Sequence, residues 1–192
     1  MSPLIATLFI ICLFVVSFLA YSTDKSEIYF EGKQECIPAP KYAEFLIKIV
    51  SYLTPVLAIA SLHYNLIFQF SSSSFFQAAG CIVSMIGMTI FLNAKSTLGR
   101  HYSPCFNSYI PEGVVKSGIY SLIRHPIYTG NLIIIFGVFL LSGSWLVFML
   151  LTILYALYSR ITKIEENALS NKHRDYIEYL KTTGRFFPAI FR

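Results

Sequence analysis

Five apolar segments restrict this chain to a helical membrane architecture. They lie at residues 3–20, 43–70, 75–93, 128–141 and 145–160. About 20 apolar residues in a helix cross the roughly 30 Å hydrocarbon layer of a bilayer, and lipid permits only structures that satisfy their own backbone hydrogen bonds. Only 13% of the residues are charged, about half the roughly 25% of average globular chains. The sequence therefore predicts an all-α integral membrane protein with about five transmembrane helices.

The same segments define the domain organisation. We expect one membrane-embedded domain over 1–192, with three N-terminal spans in 1–93 and the remaining two spans in 94–192. A Ser-Gly-Ser turn at residues 142–144 predicts a tight helical hairpin between the fourth and fifth spans. The fourth segment is short, so the sequence leaves open whether the hairpin crosses completely. The charged tail predicts a C-terminal helix with one apolar face, formed by Ile164, Ala168, Leu169, Tyr176, Ile177 and Leu180.

Basic residues indicate the orientation. They lie in the connections at 21–44 and 94–127 and in the tail, whereas the connections near 63–75 and 142–144 have none. Five crossings place the three basic regions on one side, which the positive-inside rule makes cytoplasmic. The N-terminus is then outside and the C-terminus inside. Membrane topology therefore explains the net charge of +5 without a nucleic-acid surface. We expect no nucleic-acid partner.

A dense polar cluster lies between the third and fourth apolar segments, with Tyr120, Arg124, His125, Pro126 and Tyr128 within nine positions. Lipid tolerates such a cluster only where it lines a site or lies at the interface. Proline suits the first turn of a helix, so His125 is expected at the N-cap and Tyr128 on the first turn. Taken singly, the tyrosines fit an interfacial belt and the histidine a helix cap. Together they favour a functional site.

An acidic pair, Glu165 and Glu166, follows the fifth span on the same predicted side as His125. The alternative interpretation is a solvated acidic face beside Arg160 and Lys163. The position at the end of a span favours a polar pocket built by helix ends. The four cysteines show no C-x-x-C or Cys/His spacing, so we expect no metal site.

These motifs resemble the signature of the isoprenylcysteine carboxyl methyltransferase family and its phospholipid methyltransferase relatives. The resemblance rests on G-x-Y-x-x-x-R-H-P-x-Y-x-G at residues 118–130 and on E-E-x-x-L at 165–169. It is supported by Y-x-x-Y at 176–179, followed by Pro188, and by L-G-R-x-Y-S at 98–103. The similarity covers roughly residues 93–190, which makes 94–192 the expected catalytic region.

The resemblance implies S-adenosylmethionine as co-substrate at the cytosolic face and a lipophilic acceptor that enters from the membrane. It implies catalytic roles for Glu165 and for Arg160, which would orient the acceptor. In the family this arginine usually lies four residues before the first glutamate, whereas Arg160 lies five before Glu165 and Ile161 occupies the expected position. One residue rotates a helical side chain by about 100°. Carried over position by position, the cofactor contacts would be Val114, Val115, Tyr120, Arg124, His125, Pro126, Tyr128, Glu165 and Glu166.

The resulting prediction is a membrane methyltransferase most like the isoprenylcysteine carboxyl O-methyltransferases, with membrane lipids around it and a prenylated cysteine or lipid-like molecule as acceptor. Methylation of phospholipid amines or of a small thiol is the alternative, since it shares the cofactor half of the site. A membrane sterol-type reductase that uses NADPH carries a similar R-H-P-x-Y segment and is a further alternative. A non-enzymatic scaffold would not need the polar cluster.

Overall fold

The computed structural model describes residues 1–22, 40–64, 68–70, 73–99 and 113–189. Within them, regular structure is helical apart from two isolated bridges, between Gln69 and Ser144 and between Ile123 and Gly184. Among the described residues, four helices are long and apolar enough to cross a membrane, and a fifth apolar helix is shorter. The predicted all-α, multi-pass fold is confirmed. The helices are α1 (Pro3–Ser22), α2 (Lys41–His63), α3 (Ser74–Leu98), a 3-10 helix (Gly118–Ser121), α4 (Pro126–Ser142), α5 (Trp145–Lys172) and α6 (Arg174–Thr182).

Two helices extend beyond the apolar segments that predicted them. α3 continues to Leu98 rather than 93, and α5 continues to Lys172 rather than 160. The polar extension of α5 holds no glycine or proline and is rich in good helix formers, so the helix continues where the hydrophobic stretch ends. Residues 100–103 of the L-G-R-x-Y-S motif lie outside the described residues.

The second helix is shorter than predicted. α2 ends at His63 instead of residue 70, because residues 68–70 turn back to the α4–α5 connection. The Phe70 backbone N–H donates to the Gly143 carbonyl at 2.9 Å, and the Gln69 side chain donates to the Ser61 carbonyl at 2.6 Å. This segment therefore closes the end of α2 against the hairpin turn.

The predicted C-terminal helix is divided into two parts. Its first part is the end of α5, and its second part is α6, which begins after an extended residue, His173. The predicted apolar face is divided as well, since Tyr176 is buried while Ile177 is 45% exposed. A face assumed to be continuous in the sequence is thus interrupted at the junction between α5 and α6.

Small residues join α3 and α4 in an antiparallel pair. A Cβ atom at Gly80 would lie 2.6 Å from the Gly137 carbonyl oxygen, and one at Gly130 would lie 2.8 Å from the Phe91 nitrogen. The Ser84 hydroxyl donates to the Ile134 carbonyl at 3.2 Å. Small side chains allow the two helices to approach closely, and close packing is what holds helices together in lipid.

The α4–α5 hairpin turns at Gly143, whose φ of 67° is a left-handed conformation that glycine adopts without a steric cost. The predicted hairpin is confirmed. α4 has 17 residues, or about 25 Å at roughly 1.5 Å per residue, which is slightly less than the hydrocarbon layer. The start of α4 and the end of α5 consequently lie together at one end of the bundle.

α1 packs beside α2 and α3 at both of its ends. The Met1 ammonium donates to the Gln77 side chain at 2.9 Å, and the Tyr21 ring lies 5.3 Å from that of Phe91. α1 is therefore parallel to α3. Its last turn lies at the same end of the bundle as the start of α4.

Candidate functional site

The site is built around the start of α4. Pro126 is the first residue of the helix and His125 is its N-cap, as predicted, and the His125 side chain makes no capping hydrogen bond. The imidazole is therefore available to side chains from other elements. His125, Pro126 and Tyr128 are all buried.

The C-terminal segment pairs with this helix start through its backbone. The Arg124 N–H donates to the Gly184 carbonyl at 2.9 Å, and the His125 N–H donates to the Arg185 carbonyl at 3.1 Å. These are donors before the first turn of α4, which no intrahelical carbonyl satisfies. The tail thus fixes the two residues whose side chains face the acidic pair.

Glu166 is the centre of a buried ion network. Its Oε1 atom accepts from Arg124 Nε at 2.9 Å and from Arg185 Nε at 3.1 Å, and it lies 3.2 Å from His125 Nε2. The second oxygen accepts from Arg185 Nη2. The side chains of Arg124 and Glu166 are each only 6% exposed. Both oxygens of this carboxylate are therefore already engaged within the protein.

Arg124 also holds the end of α6. Its Nη1 atom donates to the Leu180 carbonyl at 3.2 Å and to the Thr183 carbonyl. Nearby, the Tyr179 hydroxyl donates to the Tyr120 carbonyl. Burial raises the pKa of Tyr179 to about 12, so this phenol stays protonated and remains a donor at physiological pH.

Glu165 lies in different surroundings from Glu166. Its Oε1 atom accepts from the Tyr128 hydroxyl at 2.6 Å, and its Oε2 atom lies 3.5 Å from His125 Nδ1. The ring of Tyr128 lies 4.5 Å from that of Tyr158, centroid to centroid. His125 therefore lies between the two carboxylates, with one ring nitrogen towards each. We call Tyr128, Asn131, Tyr158 and Glu165 the Glu165 cluster.

The first helix contributes to this cluster. The Asn131 side-chain amide donates to the Tyr21 hydroxyl at 2.7 Å and to the Tyr158 hydroxyl at 3.3 Å. Tyr21 is the penultimate residue of α1, 110 positions before Asn131. The first span, which carries no motif of its own, thus supplies a residue that contacts the site.

A cavity of about 650 Å³ lies between α5 and the tail, and no residue of the Glu165 cluster lines it. It is bounded by Arg124, by Tyr155 and Ser159 of α5, and by residues 184–189. Helical spacing explains the separation: Tyr155, Ser159 and Glu166 follow one face of α5, and Tyr158 and Glu165 follow the neighbouring face. The Glu165 cluster and the cavity therefore lie beside neighbouring faces of one helix.

The structure brings together six of the predicted site residues, and four others lie apart from them. Tyr120 is buried beneath Tyr179, Val114 and Val115 are half-buried before the 3-10 helix, and Arg160 is exposed. The six that meet are Arg124, His125, Pro126, Tyr128, Glu165 and Glu166. Their contacts with a cofactor stay a prediction.

Sequence reasoning missed Arg185, Asn131, Tyr158 and Tyr21. One signal existed for Asn131, which is the only amide side chain within the apolar segment 128–141. Arg185 offered a weaker signal, since two buried carboxylates need more than one buried cation nearby. Neither tyrosine is distinguishable in sequence from an interfacial aromatic residue.

A family model described as phospholipid methyltransferase matches residues 75–175, just over half of the chain. The chain belongs to the phospholipid methyltransferase family. The matched region includes α3, α4 and α5 and thus the helices that carry Tyr128, Glu165 and Glu166. The predicted membership of this membrane methyltransferase superfamily is confirmed.

Two curated proteins are similar to the chain. The cobalt-zinc-cadmium resistance protein CzcN of Cupriavidus metallidurans is 31% identical over 110 residues, 56% of this chain and 49% of that protein. The nickel-cobalt-cadmium resistance protein NccN of Alcaligenes xylosoxydans xylosoxydans is 30% identical over 115 residues, 59% of this chain and 52% of that protein. The chain spans about half the length of these curated relatives. Within the part of the chain that the structure describes, no group of three or more His, Cys, Asp or Glu side chains could hold a metal ion.

Proposed function

We propose that this protein is a membrane methyltransferase that uses S-adenosylmethionine to methylate a lipophilic acceptor. The observation that carries the proposal is the Glu165 cluster, in which a carboxylate held by Tyr128 at 2.6 Å lies beside two packed tyrosine rings. The Glu165 cluster lies where α4 begins and where the apolar part of α5 ends. Family membership supports methyl transfer as the reaction.

The residues present fit S-adenosylmethionine. The methyl donor carries a sulfonium cation, an α-ammonium group and ribose hydroxyls. The Glu165 carboxylate suits an ammonium or a hydroxyl donor, and the faces of Tyr128 and Tyr158 suit a cation. When bound, S-adenosylmethionine supplies a methyl group that is already activated for transfer.

The protein's task is then mainly positioning. An acceptor carboxylate is ionised at pH 7, so its oxygen takes the methyl group without a base, the products being an ester and a neutral thioether. Correct alignment of two reactants is worth about 7–11 kcal/mol. The Glu166 network supplies the required rigidity, because it joins the start of α4, the end of α5 and the tail.

The first candidate acceptor is the carboxylate of a prenylated cysteine or a similar lipophilic acid. A phospholipid amine is the second candidate, favoured by the family model that the chain matches. An amine acceptor must lose a proton, and Glu165 is the candidate to accept it, because both oxygens of Glu166 and both ring nitrogens of His125 are engaged within the ion network. The reductase alternative has no support from the comparisons.

The site belongs on the cytoplasmic side in this proposal, with the N-terminus outside. The distribution of basic residues supports this orientation. The close approach of the α1 end, the α4 start and the α5 end supports a single polar site at one end of the bundle.

Labelled substrate tests the proposal. Membranes containing the protein receive methyl-tritiated S-adenosylmethionine and a farnesylcysteine analogue, with endogenous lipid as competitor. Base-labile label on the analogue identifies carboxyl methylation, and base-stable label in lipid identifies headgroup methylation. Label in neither pool, with wild-type protein correctly inserted, contradicts a lipophilic acceptor and leads to a test of small thiols and then of NADPH oxidation.

A further inference from the structure

We infer that the cavity beside Arg185 binds the anionic end of the lipophilic acceptor, with Arg185 as its anchoring donor. This inference rests on the proposed function and names the part of the site that would receive the acceptor. The cavity measures about 650 Å³, within the roughly 300–1,000 Å³ range of small-molecule sites. It lies against the face of α5 that carries Tyr155 and Ser159.

Arg185 is more accessible to a ligand than its neighbour Arg124. Arg124 is 6% exposed and uses both Nε and Nη1 on protein acceptors. Arg185 is 29% exposed and contacts Glu166 through Nε and Nη2. A guanidinium has five N–H donors, and among the described residues none accepts from Arg185 Nη1. Arg185 can therefore bind an anion without releasing Glu166.

The charge of this wall favours an anionic ligand. Among the described residues that line the cavity, the charged ones are Arg124 and Arg185, and neither Glu165 nor Glu166 lines it. An anion in the cavity would therefore meet cationic side chains first. Bidentate or paired contacts with carboxylates and phosphates are the arrangement for which arginine is best suited.

The rest of the cavity suits an apolar body. Tyr155 and Phe186 lie 5.9 Å apart, ring centroid to centroid. Tyr155 is 50% exposed and Phe187 is 68% exposed, so the aromatic wall opens to the outside of the bundle beside the apolar part of α5. The cavity thus offers a cation at one end and an aromatic opening at the other, which fits an amphiphile with an anionic head.

Arg160, the residue expected to orient the acceptor, does not line this cavity. It is exposed and lies one residue beyond Ser159, which does line the cavity. A step of one residue on a helix turns the side chain by about 100°. The assignment therefore moves from Arg160 to Arg185.

Direct binding tests the assignment without methyl transfer. Purified protein in detergent is titrated with tritiated farnesylcysteine analogue, with its neutral carboxamide and with a short-chain phosphatidylethanolamine. Wild-type protein should bind an anionic ligand about tenfold or more tightly than the carboxamide, since a charge-assisted hydrogen bond is roughly twice as strong as a neutral one. Preference for the analogue identifies a carboxylate, and preference for the phospholipid identifies a phosphate.

Two variants then locate the binding. Arg185→Lys keeps the positive charge but loses the paired N–H donors of the guanidinium, and it should reduce the preference for the anion. Ser159→Leu fills the cavity without touching Glu166, and it should weaken binding of the whole ligand by about tenfold. Ala156→Leu, which lies on the same helix and is exposed outside the cavity, is the matched control and should bind as wild type does.

The outcomes separate this inference from the proposed function. Equal effects of Ser159→Leu and Ala156→Leu would overturn the cavity assignment, as would an Arg185→Lys variant that raises KM for S-adenosylmethionine alone. If Arg185→Lys does not fold, the Ser159→Leu comparison still decides. Binding that follows the predicted pattern in a protein that transfers no methyl group would retain the site and reject the proposed reaction.

Discussion

Arg124 Nε lies 2.9 Å from Glu166 Oε1, and the two residues are 42 positions apart in the sequence. One precedes α4 and the other lies near the end of α5, so the pair fixes the two helix ends around the site. Both side chains are almost fully buried. Because the pair is buried, it adds little net stability when intact, whereas loss of one partner is costly since it leaves an uncompensated charge.

Glu166→Gln should therefore destabilise the protein strongly. The substitution leaves Arg124 and Arg185 without their shared counter-charge, and removal of one partner of a buried pair costs about 3–5 kcal/mol. Thermal unfolding in detergent measures the effect. Glu178→Gln on α6, where the side chain is exposed, is the control and should unfold close to wild type. Equal melting temperatures for the two variants would contradict a structural role for Glu166.

Glu165→Gln should affect the ligand more than the fold. Its carboxylate has one short hydrogen bond, from Tyr128, and we expect the amide to weaken S-adenosylmethionine binding at least tenfold while the melting temperature falls less than in Glu166→Gln. Tyr128→Phe removes the same hydrogen bond and keeps the charge, so it should weaken binding less. Calorimetric titration provides the measurement, and unchanged affinity in Glu165→Gln would remove this residue from the cofactor site.

Gly137→Ala should separate α3 from α4. A Cβ atom there would lie 2.6 Å from the Gly80 carbonyl oxygen and 2.6 Å from the Ser84 nitrogen, both backbone atoms that cannot rotate away. Overpacking of this kind costs about 1–3 kcal/mol. Gly113→Ala, where a new Cβ atom would meet none of the described atoms within 4 Å, should have little effect on unfolding in the same detergent. A normal melting temperature for Gly137→Ala would show that this helix pair can adjust.

Tyr21→Phe should lower activity although Tyr21 lies outside the region matched by the family model. It removes the hydroxyl that accepts from Asn131 at 2.7 Å, and a hydrogen bond of this kind contributes about 0.5–1.5 kcal/mol. We expect kcat to fall a fewfold while KM for the acceptor stays constant, because Tyr21 acts through Asn131 and Tyr158. Tyr52→Phe, at an exposed tyrosine of α2, is the control. A change confined to the acceptor KM would contradict this positioning role.

Features that depend on local chemistry could be predicted from the sequence. Hydrophobic length predicted the spans, Gly143 predicted the hairpin turn, and Pro126 predicted the start of α4. The motif residues His125 and Glu165 were expected to be near each other because both lie at helix ends on one predicted side. The spans, the turn and the helix start required only the residues themselves and their immediate neighbours, whereas the proximity of His125 and Glu165 required the number of crossings as well.

Features that depend on packing between distant segments could not be predicted. The apolar segment at 145–160 ends before α5 does, because a helix can continue beyond the hydrocarbon layer. Arg185 lies beyond Leu180, the last residue of the periodic apolar face in the tail, and its pairing with Glu166 depends on the backbone contacts of residues 184–185 with the α4 start. Similarly, the contact of Tyr21 with Asn131 joins segments 110 positions apart.

The pairing of the tail with the start of α4 sets an order of events during synthesis. Arg124 and its acceptor Thr183 are 59 positions apart, so the ribosome delivers the α4–α5 hairpin to the membrane before the tail exists. Chains grow at about 5–20 residues per second, which leaves the Arg124 guanidinium without its Thr183 acceptor for several seconds at the membrane surface. A nascent chain halted before residue 183 would be inserted but would lack an assembled site, so activity can begin only after translation has passed the tail.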